Sequence, residues 1–315
     1  MKKISLIAIA ILVFAAVAAQ AQSDNASDNP FIMQGDRAEL IHVMATPSKA
    51  GVDPSARGEA VNAPSGNATF KASYGAGQLI DHGGPVISNA GAFNVFMGAA
   101  TAAAFQTPLN GMVQAFTNVP DYNIITQYSK SGNTISGALA FRGSYVDTVT
   151  YLTYTGDNTL TDTEVKSYVA ALVNGPLSAS LSGNQTTTVV NLYLPQGLVS
   201  TMGGSTGCGG SPLGYCGYHS WAQVGSWHVK YAVYPYNNCS GCSLTGKTVV
   251  DMQTIVTSHE IREAVTDPSD AGNAWYDRQG YEADDKCAWH NLYQMGGIYW
   301  VQPEYSNANR GCVVP

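Results

Sequence analysis

The residues best suited to chemistry lie together in the segment Ser258-His259-Glu260-Ile261-Arg262-Glu263. On a helix, His259 and Glu263 are four residues apart, so their side chains leave the same face one turn apart. Two such ligands can hold one metal ion, and the neighbouring Glu260 can act as the general base that activates a water molecule. This is the logic of the His-Glu-x-x-His helix of zinc metalloproteases, with a glutamate as the second ligand. The spacing predicts a divalent metal site with Zn²⁺ as the expected ion, and the acid-rich ligand set leaves a harder ion as the alternative.

The third ligand must come from outside this segment. Asp267 continues the four-residue spacing from Glu263, but Pro268 places it where the helix must end. Farther along, an acidic cluster at 282–285 stands out in a chain of which only 12% is charged. The preferred third ligand is Asp285 from this cluster, and four side chains are its rivals: Asp267, Glu282, His219 and His228. His219 acting as a fourth ligand would close the coordination shell, which favours a structural ion over a catalytic one.

Other catalytic classes have less support in the sequence. The Gly-x-Ser-x-Gly pattern of serine hydrolases occurs at 203–207, and the Gly-x-x-x-x-Gly-Lys-Thr pattern of phosphate-binding loops occurs at 241–248. Both lie in the Gly- and Cys-rich stretch that disulfides are expected to constrain, so neither is taken as a catalytic loop. A carboxylate pair for glycoside hydrolysis could be formed by Glu260 or Glu263 with Asp285, but the sequence does not give their separation in space. Metal-dependent hydrolysis is therefore the leading hypothesis for the reaction.

Helices and strands must position these residues. A helix over 248–266 carries the metal-binding segment. A second helix is predicted to begin at the capping box of Thr161 and Glu164 and to end at Gly175-Pro176. A third helix is predicted to begin at Thr107-Pro108. Apolar, β-branched and aromatic runs predict strands at 92–97, 138–145, 187–194 and 228–234. Because strands and helices do not alternate strictly, the predicted fold class is α+β, a mixed β-sheet packed by helices.

Composition excludes several classes of protein. The chain has 315 residues, with 15 Lys+Arg against 22 Asp+Glu and a net charge of −7. Without a basic surface to collect phosphates, nucleic acid is not expected as a partner. A charged fraction of 12% also disfavours a coiled coil and a charge-rich disordered chain.

The first residues have the pattern of a secretory signal peptide over 1–21. Two lysines precede an apolar run over 4–19, and Ala19-Gln20-Ala21 is a small-x-small cleavage site. After cleavage no membrane anchor is expected. Residues 22–78 show no sustained apolar period and predict a low-complexity leader or propeptide, followed by a single α+β domain over 79–315. The predicted location is secreted, either periplasmic or extracellular.

All six cysteines lie in the last third of the chain. They are Cys208, Cys216, Cys239, Cys242, Cys287 and Cys312. An even number in an exported chain predicts three disulfides, and pairing by neighbourhood favours 208 with 216, 239 with 242, and 287 with 312. A zinc site at Cys239-Ser240-Gly241-Cys242 is the rival interpretation, but a second pair at zinc-finger spacing is missing.

The chain resembles the phosphate-induced protein 1, or EXORDIUM-like, family of secreted plant and bacterial proteins. The matching stretches follow the expected order over about 80–315. They are His82-Gly83-Gly84-Pro85-Val86, Cys216-Gly217-Tyr218-His219-Ser220, Cys239-Ser240-Gly241-Cys242, Ser258-His259-Glu260-Ile261 with Glu263, Asn273-Ala274-Trp275-Tyr276, and Glu282 with Asp285 and Cys287. Phe96-Met97-Gly98 departs from a Trp-Tyr-Gly-like pattern, and Asp284 replaces a glycine, which leaves the choice between Asp284 and Asp285 as ligand open.

The resemblance implies an extracellular or cell-wall protein, associated in plants with growth and cell expansion, in a family without an assigned enzymatic activity. The family's His-Glu-x-x-Glu helix is a variant of the metallopeptidase helix, which implies a zincin-like core beside a disulfide-rich C-terminal third. Two hypotheses follow. The first is a secreted zinc-dependent hydrolase whose partner is a peptide. The second is a non-enzymatic protein that binds cell-wall or envelope material, with a structural metal or none.

Overall fold

The computed structural model of the protein describes residues 29–35, 39–52, 67–117, 119–269 and 274–315. Strands and helices are mixed along the chain. The strands are β1 (Ile32–Gln34), β2 (Leu40–Ala45), β3 (Ala68–Phe70), β4 (Ile80–Asp81), β5 (Gly91–Met97), β6 (Ala140–Asp147), β7 (Thr159–Thr161), β8 (Thr188–Tyr193), β9 (Val199–Met202), β10 (Ser205–Thr206), β11 (Tyr215–Val224), β12 (Trp227–Tyr234), β13 (Trp275–Tyr276), β14 (Tyr293–Met295), β15 (Tyr299–Val301), β16 (Glu304–Ser306) and β17 (Gly311–Val314). The helices are α1 (Ala99–Ala115), α2 (Pro120–Asn123), α3 (Asp162–Asn174) and α4 (Val249–Thr266), and 3₁₀ turns lie at Ile124–Tyr128, Thr150–Thr153, Ser240–Cys242 and Asp285–Cys287.

The main sheet has seven strands in the order β1-β2-β11-β12-β8-β5-β6. Strands β1, β2, β11 and β12 pair in antiparallel fashion, whereas β12, β8, β5 and β6 pair in parallel. Every residue of β5 and β8 is buried, as expected for parallel strands covered on both faces. The predicted α+β class with a mixed, helix-packed sheet is confirmed. The finer prediction of a zincin-like core stays a prediction.

Helices cover both faces of the main sheet. Successive residues of a strand point to opposite faces, and Val43 and Met44 of β2 accordingly belong to two different hydrophobic clusters. The cluster with Met44 includes apolar side chains of α1 and α4, while the cluster with Val43 includes those of α3. Because His42 precedes Met44 by two residues, it lies on the same face of the sheet as α4.

Helix α4 extends over the predicted residues. Thr248 caps it through reciprocal bonds with Asp251: the threonine hydroxyl accepts from the Asp251 N–H at 3.2 Å, and the Asp251 carboxylate accepts from the Thr248 N–H at 2.8 Å. All residues from Met252 to Thr266 are buried, which is rare for a run with this many ionisable groups. The helix therefore places charged side chains in the interior, where each needs a partner or an ion.

The other predicted elements are found with small shifts at their ends. Strands β5, β6, β8 and β12 match the four predicted strands, and α3 begins at the predicted capping box of Thr161 and Glu164. The predicted helix start at Thr107-Pro108 is wrong, since α1 begins at Ala99 and contains Pro108. The alanine-rich residues before the proline have high helix propensity and extend the helix toward the N-terminus.

The prediction of a low-complexity leader over 22–78 fails for the described part of that segment. Strand β2 lies between β1 and β11 in the main sheet, and β3 pairs with β17 near the C-terminus. Residues 41–45 of β2 are buried, because the apolar run around His42 supplies both faces of an inner strand. The domain thus begins before residue 79, and loss of this segment as a propeptide would remove an inner strand.

The disulfides join Cys208 to Cys239, Cys216 to Cys242 and Cys287 to Cys312. The third pair agrees with the neighbourhood prediction, and the first two contradict it. Cys239 and Cys242 lie at the two ends of one 3₁₀ turn, and Cys242 Sγ lies 3.4 Å from the Tyr215 carbonyl oxygen, against the start of β11. Because both cysteines of this turn are in disulfides, the rival zinc site there is excluded as well.

The predicted signal peptide over 1–21 lies outside the described residues. Within the described part of the chain, no helix combines the length and the apolar character needed to cross a membrane. The three disulfides are consistent with an extracellular protein.

The disulfide pattern gives a first testable prediction. Non-reducing digestion and mass spectrometry should find the three linked peptides of the structure. Cys216→Ser should leave Cys242 as the reactive thiol, because these two residues are partners. Labelling of Cys208 in that variant would instead support the neighbourhood pairing and contradict the structure.

Candidate metal centre

Eight ionisable side chains from distant parts of the chain meet between α4 and strands β2 and β11. They are His42 of β2, His219 of β11, His259, Glu260 and Glu263 of α4, Asp267 directly after α4, and Glu282 and Asp285 between β13 and β14. The exposed fraction of these residues is between 0% and 3%. This set, here called the buried centre, includes every residue that the sequence predicted as base, ligand or rival ligand except His228 and Asp284.

The three residues predicted as ligands lie close enough to share one ion. His259 Nε2 is 3.0 Å from Glu263 Oε2 and 3.7 Å from Asp285 Oδ1. Ligand atoms at about 2.0–2.1 Å from a tetrahedral zinc ion are about 3.3 Å from each other. The separations of His259 Nε2 from the two carboxylate oxygens therefore suit ligands of a common ion, although the compact group of potential ligand atoms around His259 and Glu263 has Glu260 as its third member.

The same three atoms lack other partners. His259 Nε2, Glu263 Oε2 and Asp285 Oδ1 are buried, and none forms a hydrogen bond to any described residue. An unpartnered buried polar atom costs about 1–3 kcal/mol, and more when it is charged. A divalent cation satisfies all three at once, so these residues fit such an ion.

His259 is held in the tautomer that a metal ligand requires. Gln302 donates through its Nε2 to the Asp284 carbonyl oxygen at 2.7 Å and to Asp284 Oδ1 at 2.9 Å, which leaves its Oε1 to accept. This Oε1 lies 3.4 Å from His259 Nδ1, so Nδ1 carries the proton. The lone pair of His259 is consequently on Nε2, the atom that approaches Glu263 and Asp285.

Asp284 has a different role from Asp285. Arg262 Nε lies 3.1 Å from Asp284 Oδ2 and 2.8 Å from Glu304 Oε2, and these groups are fully buried. The guanidinium is thus engaged by two carboxylates of its own and does not neutralise the buried centre. Asp284 holds Gln302, which orients His259, whereas Asp285 itself approaches His259 Nε2.

Glu260 is positioned separately from the ligand atoms. Its Oε1 accepts the Met44 N–H at 3.2 Å, and its Oε2 is 3.1 Å from His219 Nδ1. His219 Nε2 lies 3.3 Å from the Asp267 carbonyl oxygen and must donate to it, because a carbonyl oxygen only accepts. When His219 is neutral, Nδ1 is therefore the acceptor, and Glu260 supplies the proton between them.

The pKa shifts of this pair agree with that proton position. Burial lowers the pKa of His219 to about 4 and raises the pKa of Glu260 to about 8. Near neutral pH without a nearby cation, the pair is therefore a protonated carboxyl and a neutral imidazole. A positive charge nearby would favour the ionised form of Glu260.

The other carboxyl groups of the buried centre disfavour each other's ionisation. Burial first, and then repulsion from neighbouring carboxylates, raises the pKa of Glu263, Glu282 and Asp285 well above the ordinary range. Burial also raises the pKa of Asp267 to about 6. Near neutral pH, Glu263, Glu282 and Asp285 therefore retain protons unless positive charge enters among them, whereas Asp267 is mostly ionised.

The rival ligands differ in their surroundings. Asp267 Oδ1 accepts from the Ser269 N–H at 3.3 Å, and its carbonyl oxygen orients His219. His228 lies elsewhere, stacked on Trp221 with ring centroids 4.4 Å apart. Among the described residues, neither Asp267 nor His228 belongs to a group of ligand atoms compact enough for one ion, whereas Glu282 and His219 do.

Sequence reasoning missed His42. Its Nδ1 lies 2.8 Å from Glu282 Oε2, and its ring stacks against His219 with centroids 6.1 Å apart. Burial, reinforced by His219 and His259, lowers its pKa to about 3, so the ring is neutral. The sequence contains one indication of this residue, a single histidine inside the six-residue apolar run of β2. That pattern is also typical of an ordinary buried strand.

Three described cavities are lined by sequence neighbours of the buried centre. One is lined in part by Ser220 and Ser269, a second in part by Tyr281 and a third in part by Lys286. None of the eight centre side chains lines any of the three cavities.

Comparison with protein-family models, with curated proteins and with solved structures finds no match for this chain. The resemblance to the EXORDIUM-like family therefore stays a prediction, and the function must be argued from the buried centre itself.

The raised pKa values predict an unusual pH dependence of stability. Asp267 and Glu260 have pKa values raised from 3.8 to about 6 and from 4.5 to about 8 in the folded protein. Through these two carboxyl groups the metal-free folded state binds more protons than the unfolded chain, and their stabilisation is lost as the pH rises from about 4 to about 8. The lowered pKa values of His42 and His219 act in the opposite direction, but only below their ordinary pKa of 6.5. With a chelator present, the Tm should be lower near pH 8 than near pH 5.

Zinc should act in the opposite direction, because it binds the deprotonated ligands and so stabilises the folded state most at the higher pH. Thermal unfolding with chelator and with Zn²⁺ at both pH values measures the effect. A chelated protein whose Tm rises toward about pH 8, with no added stability from zinc, would contradict it.

Proposed function

We propose that this protein is a metal-dependent hydrolase that binds zinc through His259, Glu263 and Asp285. The observation that carries the proposal is the convergence of three buried ligand atoms without hydrogen-bond partners. The Nε2 lone pair of His259, set by Gln302, supports the same assignment. When bound in such a site, zinc supplies a Lewis acid that polarises a carbonyl and acidifies water.

Glu260 is the proposed general base. It is adjacent to His259, within the same compact group of potential ligand atoms, yet its oxygens are engaged by Met44 N–H and His219 rather than left free. In its ionised form, Oε2 accepts a proton from the attacking water and returns it to the leaving group. His219 Nδ1 lies 3.1 Å from that oxygen and holds it in place when the proton between them is on Nδ1, so His219 is a positioning residue.

Peptide-bond hydrolysis is the proposed reaction. The order histidine, glutamate base and second ligand at the fourth position on one helix matches the zinc metalloprotease arrangement, with Glu263 as the second ligand. The proposed location is outside the cytoplasm, which the three disulfides support. The proposed partners are peptides.

The second candidate function is a non-enzymatic extracellular protein that binds cell-wall or envelope material and carries a structural ion. One observation favours it: every proposed ligand, and Glu260 as well, has an exposed fraction of 0%. Structural ions sit in closed sites, whereas catalytic zinc keeps one position open to water and substrate. Both candidates bind metal, so metal content alone does not separate them. Peptidase activity must be measured on the same samples.

The two candidates are separated by variants of Glu260 and His259. Purified wild type is expected to hold zinc and to cleave members of a peptide library. Glu260→Gln should keep the ion, because Glu260 is not a ligand, and should lose about 10²–10⁴-fold in activity. His259→Ala should lose both the ion and the activity. Elemental mass spectrometry and peptide cleavage assays provide the two measurements.

Matched controls keep the result specific. His228→Ala removes a histidine stacked on Trp221, and Asp157→Asn removes an exposed carboxylate near Thr159, so both should keep ion and activity. Full peptidase activity in Glu260→Gln would refute the base assignment. Zinc in wild type without cleavage of any library peptide, together with a lower Tm in His259→Ala, would establish the structural-ion candidate instead.

A further inference from the structure

The buried centre holds more ligand atoms than one zinc ion uses. Besides the proposed ligands His259, Glu263 and Asp285, it contains His42 and Glu282 on the side toward β2. His42 Nδ1 and Glu282 Oε2 are 2.8 Å apart, but the contact lacks hydrogen-bond geometry, and both atoms are without a hydrogen-bond partner. Glu282 Oε1 is unpartnered too.

These atoms form a second compact group. One ligand atom each from His42, Glu282 and Asp285 lies within 4.8 Å of the others, which is the spread expected around one ion. Two of the residues have an exposed fraction of 0%, and His42 has 3%. The group therefore consists of side chains removed from water, with unpartnered atoms directed at each other.

Asp285 is a member of this compact group and also a proposed ligand of the first ion. Its Oδ1 is 3.7 Å from His259 Nε2 and has no hydrogen-bond partner, while its Oδ2 accepts the Glu282 N–H at 3.1 Å. A carboxylate between two histidines from different elements, His259 of α4 and His42 of β2, is placed to bridge two cations. In two-metal hydrolytic sites the ions stand about 3.5–4 Å apart and share such bridging ligands.

Charge also favours a second cation. Five fully buried carboxyl groups surround the three histidines: Glu260, Glu263, Asp267, Glu282 and Asp285. The two cations adjacent to the centre in sequence are paired elsewhere: Arg262 with Asp284 and Glu304, and Lys286 with Asp277. Both carboxyl oxygens of Glu282 lack a hydrogen-bond partner among the described residues, and a second divalent ion would supply a positively charged partner for them.

We propose that the buried centre is a two-metal site, in which His42 and Glu282 hold a second divalent cation that shares Asp285 with the first. This inference rests on the proposed metal-dependent function. It predicts that each chain binds two ions. A ligand of the second ion, His42, lies on strand β2, outside the His-Glu-x-x-Glu motif.

Metal stoichiometry tests the proposal. Chelator-stripped protein is dialysed against Zn²⁺, and bound metal per chain is measured by elemental mass spectrometry. Wild type and the control His228→Ala should bind two ions, and His42→Asn should bind one. Circular dichroism shows whether each variant is folded. Two ions in folded His42→Asn would overturn the assignment of His42.

The outcomes separate this proposal from the proposed function. One ion in wild type and one in His42→Asn would overturn the second site and leave the single-ion hydrolase intact. No bound metal in wild type would overturn both. If His42→Asn does not fold, Mn²⁺-loaded wild type decides by electron paramagnetic resonance. At two equivalents, a spin-coupled spectrum supports a pair of adjacent ions, and an uncoupled six-line spectrum refutes it.

Discussion

The structure depends on one electrostatic constraint: ionisable side chains are gathered where water does not reach. Helix α4 is buried along nearly its whole length although it carries His259, Glu260, Arg262 and Glu263. Hydrophobic burial of its isoleucines and valines against the sheet draws these groups inside. Their desolvation must then be offset by specific partners. The surrounding loops, the N-terminal strands and the last strands of the chain supply those partners.

Two networks satisfy this constraint in different ways. Arg262 is neutralised inside the protein by Asp284 and Glu304, so its network is complete without any ion. The buried centre lacks such a cation and retains unpartnered ligand atoms. The networks meet at Gln302, which bonds Asp284 and orients His259. The contacts of Gln302 and Asp284 therefore hold Arg262 of α4 in place and also orient the His259 ring.

The N-terminal strand β2 links the fold to the chemistry. It is an inner strand of the main sheet, its Met44 N–H donates to Glu260, and its His42 faces Glu282. A segment of this kind stabilises the sheet and completes the centre at once. A catalytic site and a structural metal site would both use this arrangement, and they would differ in whether substrate reaches the ion. The complete burial of Glu260 makes that access the decisive property of the site.

The sequence alone determined the local features. The capping box of α3, the limits of α4 and the four-residue spacing of His259 and Glu263 follow from interactions within a few residues, so they could be predicted. Only the tertiary structure decided the long-range ones. Asp284 and Asp285 are neighbours with opposite roles, the partners of Cys208 and Cys216 lie 31 and 26 residues away, and His42 joins a site more than two hundred residues away. Such pairings depend on which chain segments the hydrophobic core brings together, and local sequence does not encode that choice.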